Sequence, residues 1–417
     1  MHPFSPPSPL DAHAQPSRVG RASRRAATAL AVGLTFVVLA GCGSSSPSSG
    51  PPGGTDPSRD TSFAQITAGQ EFFLALDDDG QAWGWGYNGD EQLGDGTTTN
   101  HTVPTRVSMP SGTTFERISA AATHSVALDA GGSAWGWGSN FAGQLGLDSS
   151  TDHFGAPTRV VMPNGVRFVD VSAGLLYTLA VDESGQAWGW GHNKFGKLGD
   201  GTTEDRRAPV EIVMPDGVAF SRIATGMFRS FALDTDGRPW GWGDNTGGAL
   251  GDGTAVERHV PVELDLPAGV TLIRIATASG HTVALDQQGR VWEWGLTSQS
   301  DPDGTAALVP TAAGRTFTDV AAGYGFSLAL DQDGQIWSWG DDNYYGQFGD
   351  GTTDDRATVD LIDMPDGVRF TSVAAEFYSG AAIDDAGTVW TWGRNYYGEL
   401  GDGGTGHRSS PAPVVMP

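Results

Sequence analysis

The fourteen tryptophans of this chain fall into seven Trp-x-Trp pairs, which begin at Trp83, Trp135, Trp188, Trp240, Trp292, Trp337 and Trp390. The steps between successive pairs are 52, 53, 52, 52, 45 and 53 residues. A period near 50 residues is typical of a solenoid, a propeller or an array of small units. The chain is therefore predicted to fold from seven copies of one structural unit.

Each copy contains three short apolar segments separated by turn residues. In the first copy the segments centre on Ile66, on residues 73–76 and on residues 82–85. Asp77-Asp78-Asp79-Gly80 separates the second from the third. Because Asp and Gly tolerate positive φ, this sequence predicts a tight hairpin. A fourth segment, as at residues 104–109, precedes most later copies and is predicted to be a fourth strand.

The first copy has no fourth segment before it, and the segment at residues 411–417 has no copy after it. We therefore predict that residues 63–417 form an all-β, seven-bladed β-propeller, whose ring is closed by the C-terminal strand pairing into the first blade. A closed ring removes the exposed sheet edges that invite aggregation. The tryptophans are expected to pack between blades as core, because each buries about 150–250 Å².

The repeated pattern carries a family resemblance. Phe-x-x-Ile/Val, Leu-Ala-Leu-Asp, Ala-Trp-x-Trp-Gly-x-Asn and Gly-Gln-Leu-Gly-Asp-Gly together resemble the regulator of chromosome condensation repeat. The resemblance covers the chain from about Phe63 onward and also implies a seven-bladed propeller. Copy five departs from the pattern, because Trp292-Glu293-Trp294-Gly295 is followed by Leu-Thr-Ser-Gln-Ser at 296–300 instead of the Asn and Gly-Gln-Leu segments. One rim loop is predicted to be trimmed there.

The N-terminus has the pattern of an export signal. Four arginines precede an apolar run at residues 26–40, and Leu39-Ala40-Gly41-Cys42 resembles a bacterial lipobox. Residues 1–41 are therefore predicted to be a lipoprotein signal peptide, with Cys42, the only cysteine, as the lipidated residue. The alternative of a transmembrane anchor is disfavoured because a span needs about 20 residues. Residues 42–62 are rich in Gly, Ser and Pro and are predicted to form a flexible tether. The sequence leaves open whether export uses the general or the twin-arginine route.

The charge of the chain restricts the classes of partner that it can bind. Four arginines and one aspartate precede Cys42, so the chain from Cys42 onward carries a formal charge of −28. An acidic surface repels phosphate backbones, which argues against nucleic acid as a partner. The family's founder binds chromatin and is an exchange factor for a small nuclear GTPase. An exported bacterial lipoprotein would meet neither, so guanine nucleotide exchange is the least favoured reading.

No catalytic or metal-binding motif stands out. The histidines show no metal-ligand spacing and no nucleophile motif occurs, so neither a cofactor nor a metal is expected. A hydrolase or lyase with its site at the propeller mouth stays an alternative, but it would need clustered carboxylates, and only Glu71 and Glu376 lie near that register. The Gly-Asp-Gly-Thr loops lack the closing Glu of an EF-hand. Weak surface Ca²⁺ binding by the acidic rim is left open.

A variable loop follows the Ala-Gly or related pair of each copy, at one register. All seven loops should therefore emerge on one face of the ring. The candidate interaction residues of that face are Phe72, Leu176, Tyr177, Met227, Phe228, Arg229, Tyr324, Phe326, Phe377 and Tyr378. Aromatic residues, Met and Arg are typical of interface hot spots. The alternative is that several of these side chains pack inside the central channel.

These observations predict a non-enzymatic, lipid-anchored, monomeric propeller in the bacterial cell envelope. It would bind an unknown extracytoplasmic protein or glycan through the face just described. One alternative is inhibition of an enzyme, because the fold also resembles the secreted β-lactamase inhibitory propeller, although that family's shorter repeats lack the Gln-Leu-Gly-Asp-Gly segment. Another alternative is a purely structural envelope component.

Overall fold

The computed structural model describes residues 61–295, 304–311 and 314–417. They form seven sheets of four antiparallel strands, and in each sheet the strands follow one another in chain order. The prediction of an all-β, seven-bladed propeller is confirmed. Cys42, the predicted signal peptide, the tether up to residue 60 and the segment 296–300 lie outside the described residues. Within the described ranges, no helix is long and apolar enough to cross a membrane.

Each blade runs outward from the central channel. The innermost strands are β1 (Phe63–Gly69), β5 (Phe115–Ala120), β9 (Phe168–Gly174), β13 (Phe220–Thr225), β17 (Leu272–Thr277), β21 (Phe317–Ala322) and β25 (Phe370–Glu376). The second strands are β2 (Phe72–Asp77), β6 (His124–Asp129), β10 (Tyr177–Asp182), β14 (Arg229–Asp234), β18 (His281–Asp286), β22 (Phe326–Asp331) and β26 (Ser379–Asp384).

The third strands carry the tryptophan pairs. They are β3 (Ala82–Gly86), β7 (Ala134–Ser139), β11 (Ala187–Gly191), β15 (Pro239–Gly243), β19 (Val291–Gly295), β23 (Ile336–Gly340) and β27 (Val389–Gly393). The outer strands are β4 (His101–Arg106), β8 (His153–Arg159), β12 (Arg206–Glu211), β16 (Arg258–Glu263), β20 (Ala307–Leu308), β24 (Arg356–Leu361) and β28 (Arg408–Pro413). We number the blades 1 to 7 in chain order.

The prediction that the C-terminal strand completes the first blade is wrong. Strand β28 pairs with β27, so it completes blade 7, and β4 pairs with β3 to complete blade 1. The outer strand therefore follows the three strands it joins instead of preceding them. The physical reason is that the loop after each tryptophan pair turns the chain straight back along the third strand.

Blades 7 and 1 meet through the same contacts that join the other blades. At the other junctions the first residue of an inner strand donates its backbone N–H to the carbonyl of the preceding blade's hairpin glycine, as Phe115 does to Gly80 at 2.9 Å. Phe63 donates to Gly387 in the same way, also at 2.9 Å. The ring therefore closes by packing and hydrogen bonding, without a shared strand.

The two tryptophans of a pair hold the blade in different ways. The first donates its indole N–H to the hairpin aspartate of its own blade, as Trp83 does to Asp77 at 2.9 Å. The second is fully buried and reaches the neighbouring blade, where Trp137 donates to the backbone carbonyl of Gln92 at 2.9 Å. Trp85, Trp242 and Trp392 make the equivalent bond at the same distance. One residue type thus stabilises both the hairpin and the junction.

Blade 5 replaces a missing loop contact with a side chain. In blade 1 the residue between the tryptophans is Gly84, where an added Cβ would lie 3.2 Å from the Leu93 side chain of the loop. Blade 5 lacks that leucine segment and carries Glu293 at the equivalent position. The buried Glu293 carboxylate accepts the indole N–H of Trp339 at 3.2 Å, in place of a loop carbonyl. The glutamate thus compensates for the absent segment.

Glycines at the end of the third strands are required by close backbone contact. Gly191 has φ +101°, and a Cβ there would lie 2.5 Å from the carbonyl oxygen of Leu176. Gly217 also has positive φ, +71°, but an added Cβ would meet no atom within 4 Å. We expect Gly191→Ala to lower the free energy of unfolding by about 2 kcal/mol more than Gly217→Ala. Denaturant unfolding of both variants measures this difference, and equal losses would contradict it.

Candidate functional site

One end of the ring is formed by two sets of connections. Because neighbouring strands are antiparallel, the turn between the first and second strands and the loop between the third and outer strands emerge at the same end of each blade. We call this end the loop face. The predicted interaction residues all belong to the first set of turns or to the start of the second strands.

Four of the ten predicted residues do not reach the surface. Phe72, Tyr177, Arg229 and Phe326 are buried, so the prediction that they are exposed is wrong. Each is the first residue of a second strand, and its side chain packs within the blades instead of facing solvent. The Tyr177 hydroxyl, for example, donates to the backbone carbonyl of Arg229 in the next blade at 2.7 Å. Packing is therefore their role, although between blades and not in the channel.

The other six predicted residues lie at the surface of the loop face. Phe228 and Tyr324 are exposed, whereas Leu176, Met227, Phe377 and Tyr378 are half-buried. Phe228 packs edge-on against Phe195 at 5.8 Å between ring centroids, and the Lys194 ammonium lies 4.8 Å from the Phe195 ring. This pair forms a small patch on blades 3 and 4. The remaining aromatics belong to a larger group on the opposite side.

That larger group contains seven of the chain's eight tyrosines. We define the tyrosine cluster as Tyr87, Tyr324, Tyr344, Tyr345, Phe377, Tyr378, Tyr396 and Tyr397. Ring centroids are 5.3 Å apart for Tyr324 and Tyr378, and 5.2 Å apart for Tyr378 and Tyr345. Tyr345 lies 5.9 Å from Tyr396, and Tyr397 lies 5.0 Å from Tyr87. The cluster thus runs from blade 6 across blade 7 to blade 1.

Arg394 lies among these rings and ties them together. Its guanidinium carbon is 5.2 Å from the Tyr396 ring and 5.9 Å from both the Tyr378 and Tyr397 rings. The side chain is nearly buried and forms an ion pair with Glu71 of blade 1. Burial acts against its charge, but the hydrogen bond and charge of Glu71 leave the pKa of Arg394 raised. Arg394 therefore holds the tyrosines in place and links blade 7 to blade 1.

Carboxylates surround the cluster. Burial, followed by the negative charge of Asp342, raises the pKa of Tyr378 to about 12. Burial and then the charges of Asp90 and Glu71 raise the pKa of Tyr87. His407, whose ring lies 4.5 Å from that of Tyr396, has its pKa lowered by burial and by Arg394. The cluster is therefore an aromatic surface in a negative field.

Five of the eight cluster residues, Tyr87, Tyr344, Tyr345, Tyr396 and Tyr397, are absent from the sequence prediction. Tyr344-Tyr345 and Tyr396-Tyr397 occupy the two positions after the asparagine of the Asn-x-x-Gly segment in the second set of loops. In the sequence these loops resemble the common framework of the repeat, because Gly-Gln-Leu-Gly or a close variant recurs in them. A signal was nevertheless present, since the same two positions hold Gly89-Asp90 in blade 1 and Thr246-Gly247 in blade 4.

Lys197 breaks the repeat pattern on the same face. It occupies the loop position that holds Gln92, Gln144 and Gln347 in blades 1, 2 and 6, and it is buried. Its ammonium donates to the carbonyl oxygen of Leu175 at 2.7 Å. Burial lowers the pKa of Lys197 to about 7. A buried amine at this position is a structural cost that the glutamines avoid.

The central channel holds the carboxylates that the sequence prediction overlooked. Its cavity is about 440 Å³ and is lined by the innermost strands, including Asp170 and Arg117. Asp170 pairs with Arg117 at 3.3 Å, and Asp319 pairs with Arg274 at 2.5 Å. Burial raises the pKa of both carboxyl groups. Among the described residues, no three His, Cys, Asp or Glu side chains are grouped so that they could hold a metal ion.

The fold and this site define a class, the seven-bladed propeller that presents long loops on one face. A family model described as the RCC1-like domain matches residues 40–301, and models of the regulator of chromosome condensation (RCC1) repeat match residues 317–347 and 386–417. The chain belongs to the RCC1-like domain family.

Relatives in this family have diverse descriptions. The ultraviolet-B receptor UVR8 of Arabidopsis thaliana is 32% identical over 231 residues, which cover 55% of this chain and 52% of the receptor. The human E3 ubiquitin-protein ligase HERC2 is 33% identical over 233 residues, 54% of this chain but 5% of the ligase. The chain thus spans about half of the first relative and a small part of the second.

Solved structures agree in fold. Human WBSCR16 superposes with a TM-score of 0.69 at 22% identity, covering 79% of this chain and 91% of that one. Prp20p of Saccharomyces cerevisiae, a structure described together with its binding to Gsp1p and histones, gives a TM-score of 0.70 at 19% identity and covers 85% and 87%. At these identities the likeness establishes the fold alone.

Proposed function

We propose that this chain is a non-enzymatic propeller that binds a protein partner through the tyrosine cluster. The observation that carries the proposal is the gathering of seven of the eight tyrosines on one side of the loop face, with Tyr344 74% exposed and Tyr396 54% exposed. Tyrosine supplies a large contact area at a small entropic cost, and it is enriched at binding hot spots. The described binding of Prp20p to other proteins is in keeping with this role for the fold.

A binding role is favoured over hydrolysis by the state of the channel carboxylates. Asp170 and Asp319 sit in blades 3 and 6, and each is ion-paired with an arginine. Each also accepts a backbone N–H from the next blade. Asp170 accepts that of Ile223 at 3.0 Å, and Asp319 accepts that of Val373 at 3.3 Å. These contacts use the carboxylates to join blades. We further propose that the chain acts as a monomer and without a cofactor.

The proposed place of action is the outer side of a bacterial membrane, with the propeller held by a lipid on Cys42. This part rests on the lipobox-like Leu39-Ala40-Gly41-Cys42 and the Ser- and Pro-rich segment after it. We expect the full chain, expressed in a bacterium, to incorporate labelled palmitate and to sediment with membranes. Cys42→Ser should lose both properties. Palmitate incorporation by the Cys42→Ser variant would remove the anchoring proposal and leave the binding proposal untouched.

We expect the double variant Tyr344→Ala/Tyr396→Ala to bind the partner about 100-fold more weakly, from about 1.4 kcal/mol lost per tyrosine. The full chain is used to capture proteins from envelope and secreted fractions. The captured protein is identified and purified, and its Kd is then measured against the wild type and the variants.

Phe141→Ala is the matched control. Phe141 also follows the loop asparagine, in blade 2, and is 53% exposed, but it lies outside the cluster. This variant should bind as the wild type does. Equal affinity of the wild type and the double tyrosine variant would refute the proposal. Capture of a β-lactamase would support the alternative that the propeller inhibits an enzyme. Capture of a glycan would support the alternative that it binds a glycan.

A further inference from the structure

The tyrosine cluster already holds one cation on its inner side. Arg394 lies against the rings of Tyr345, Tyr378, Tyr396 and Tyr397 at 5.2–6.0 Å. Aromatic faces attract cations within about 6 Å because the ring carries negative charge on its faces. The exposed side chains of Tyr324, Tyr344 and Tyr396 present comparable ring surface to the solvent. The outer side of the cluster can therefore bind a cation through its tyrosine rings, as the inner side binds Arg394.

The charge of the cluster favours a further cation over an anion. Arg394 is neutralised by its ion pair with Glu71, and a second carboxylate oxygen, of Glu399, lies 3.7 Å from it. Asp342 accepts the backbone N–H of Tyr344 at 3.1 Å, and its negative charge acts on the hydroxyl of Tyr378 in the cluster. The two lysines of the chain, Lys194 and Lys197, lie in blade 3 and not in the cluster. An anionic ligand would therefore meet the negative charges of Asp90 and Asp342, which act on Tyr87 and Tyr378.

The whole chain adds to this preference. Its 49 acidic residues outnumber the 24 basic ones, and a net negative field steers cationic partners toward the surface. We infer that the partner segment at the tyrosine cluster is basic, and that it places Lys or Arg side chains on the outward faces of Tyr344 and Tyr396. This inference rests on the proposed function and gives it a partner chemistry.

The experiment observes the tyrosines directly. All eight are replaced by 3-fluorotyrosine in the full chain, and the ¹⁹F resonances are assigned with Tyr→Phe variants. The probe is a synthetic peptide of alternating arginine and glycine. Its matched control carries citrulline in place of arginine, which keeps the shape of the side chain and removes its charge. Tyr177, which is fully buried between blades, is the internal reference.

The arginine peptide is expected to shift the resonances of Tyr324, Tyr344 and Tyr396 and to leave that of Tyr177 unchanged. Asp90→Asn and Asp342→Asn should each weaken binding by about threefold. Raising the ionic strength from about 0.05 to about 0.5 M should weaken it further, because exposed charges are screened. In Asp342→Asn the side-chain oxygen can still accept the Tyr344 N–H, so the loop should keep its conformation.

Equal shifts from the citrulline peptide, or no shift from the arginine peptide, would overturn the inference. A shift of Tyr177 would also overturn it, because it would report a change within the blades instead of binding at the surface. None of these results affects the proposed function, which fails only if a captured partner binds the Tyr344→Ala/Tyr396→Ala variant as well as it binds the wild type.

Discussion

Replacing Lys197 by glutamine is expected to raise the free energy of unfolding at pH 6 by about 4 kcal/mol. Lys197 is buried in the loop of blade 3, where burial lowers its pKa from 10.5 to about 7. At pH 6 the folded chain must hold a charged ammonium that the unfolded chain leaves in water. Glutamine at this position removes the charge.

The other blades show what glutamine does there. The Gln144 side-chain oxygen accepts the backbone N–H of Ala142 at 3.0 Å, and that of Gln347 accepts the N–H of Tyr345 at 2.9 Å. In Lys197→Gln the equivalent donor is the N–H of Phe195. The variant should thus gain a hydrogen bond that offsets the loss of the ammonium contact with Leu175.

The pH dependence of this gain has a definite sign. Since the folded-state pKa lies below that of the unfolded chain, the cost of Lys197 is full below pH 7 and falls to zero as the pH rises toward 10.5. The advantage of the variant should therefore shrink between pH 7 and pH 10. Guanidinium unfolding at pH 6, 8 and 10 measures it.

The neighbouring Lys194 is the control, because it is exposed in the same loop. Lys194→Gln should change the free energy of unfolding by less than about 0.5 kcal/mol at every pH. A destabilised Lys197→Gln variant at pH 6 would show that the ammonium bonds to the carbonyls outweigh its burial.

The second large effect is expected at Glu293. Burial raises the pKa of this carboxyl group from 4.5 to about 7, while its hydrogen bond with the Trp339 indole acts in the opposite direction. Glu293→Gln keeps an acceptor for that indole and cannot ionise. The quantity to compare is the free energy of unfolding of the variant minus that of the wild type. This difference is expected to be about 3 kcal/mol larger at pH 8 than at pH 4.5.

The sign follows from the raised pKa. The stabilisation by Glu293 is fully present below pH 4.5, where the carboxyl is protonated in both states, and it is lost as the pH rises through about 7. His281, 3.9 Å from Glu293, has its pKa lowered by burial to about 4. The contribution of His281 to the free energy of unfolding therefore rises with pH between about 4 and 6.5. In the wild type this rise opposes the fall caused by Glu293. In Glu293→Gln the free energy of unfolding should show the rise with pH that His281 causes.

Two further variants separate the charge from the hydrogen bond. Glu293→Gly restores the glycine of blades 1 to 4 but leaves Trp339 without its acceptor, so it should lose about 1–3 kcal/mol even at pH 5. Glu116→Gln removes an exposed carboxylate and should have no comparable effect at either pH. Parallel stability curves of the wild type and Glu293→Gln from pH 4.5 to pH 8 would contradict the prediction.

Most of the fold could be predicted because its signals are local and repeated. The tryptophan pairs and the Asp-x-x-Gly turns mark third strands and hairpins in nearly every copy, and the structure places both as expected. The assignment of the outer strand was wrong because a periodic sequence does not reveal where its unit begins. Only the pairing of Trp83 with Arg106, and of Trp390 with Pro413, decides which blade that strand joins.

The site was less predictable because its contacts are long-range. Arg394 and Glu71 are 323 residues apart, and no local pattern indicates that they pair. The burial of Phe72 and Tyr177 likewise depends on whether a residue ends a turn or starts a strand, a difference of one position. The sequence did indicate that the loops that vary between copies lie together on the loop face.

The tyrosine cluster lies across the junction between the first and last blades. Tyr87 and Glu71 belong to blade 1, whereas Tyr397 and Arg394 belong to blade 7. A partner that contacts both sides can bind only while these two blades are together. Occupancy of the cluster and resistance of the ring to opening are therefore thermodynamically linked, so that a ligand at this surface also protects the first and last blades from local unfolding and proteolysis.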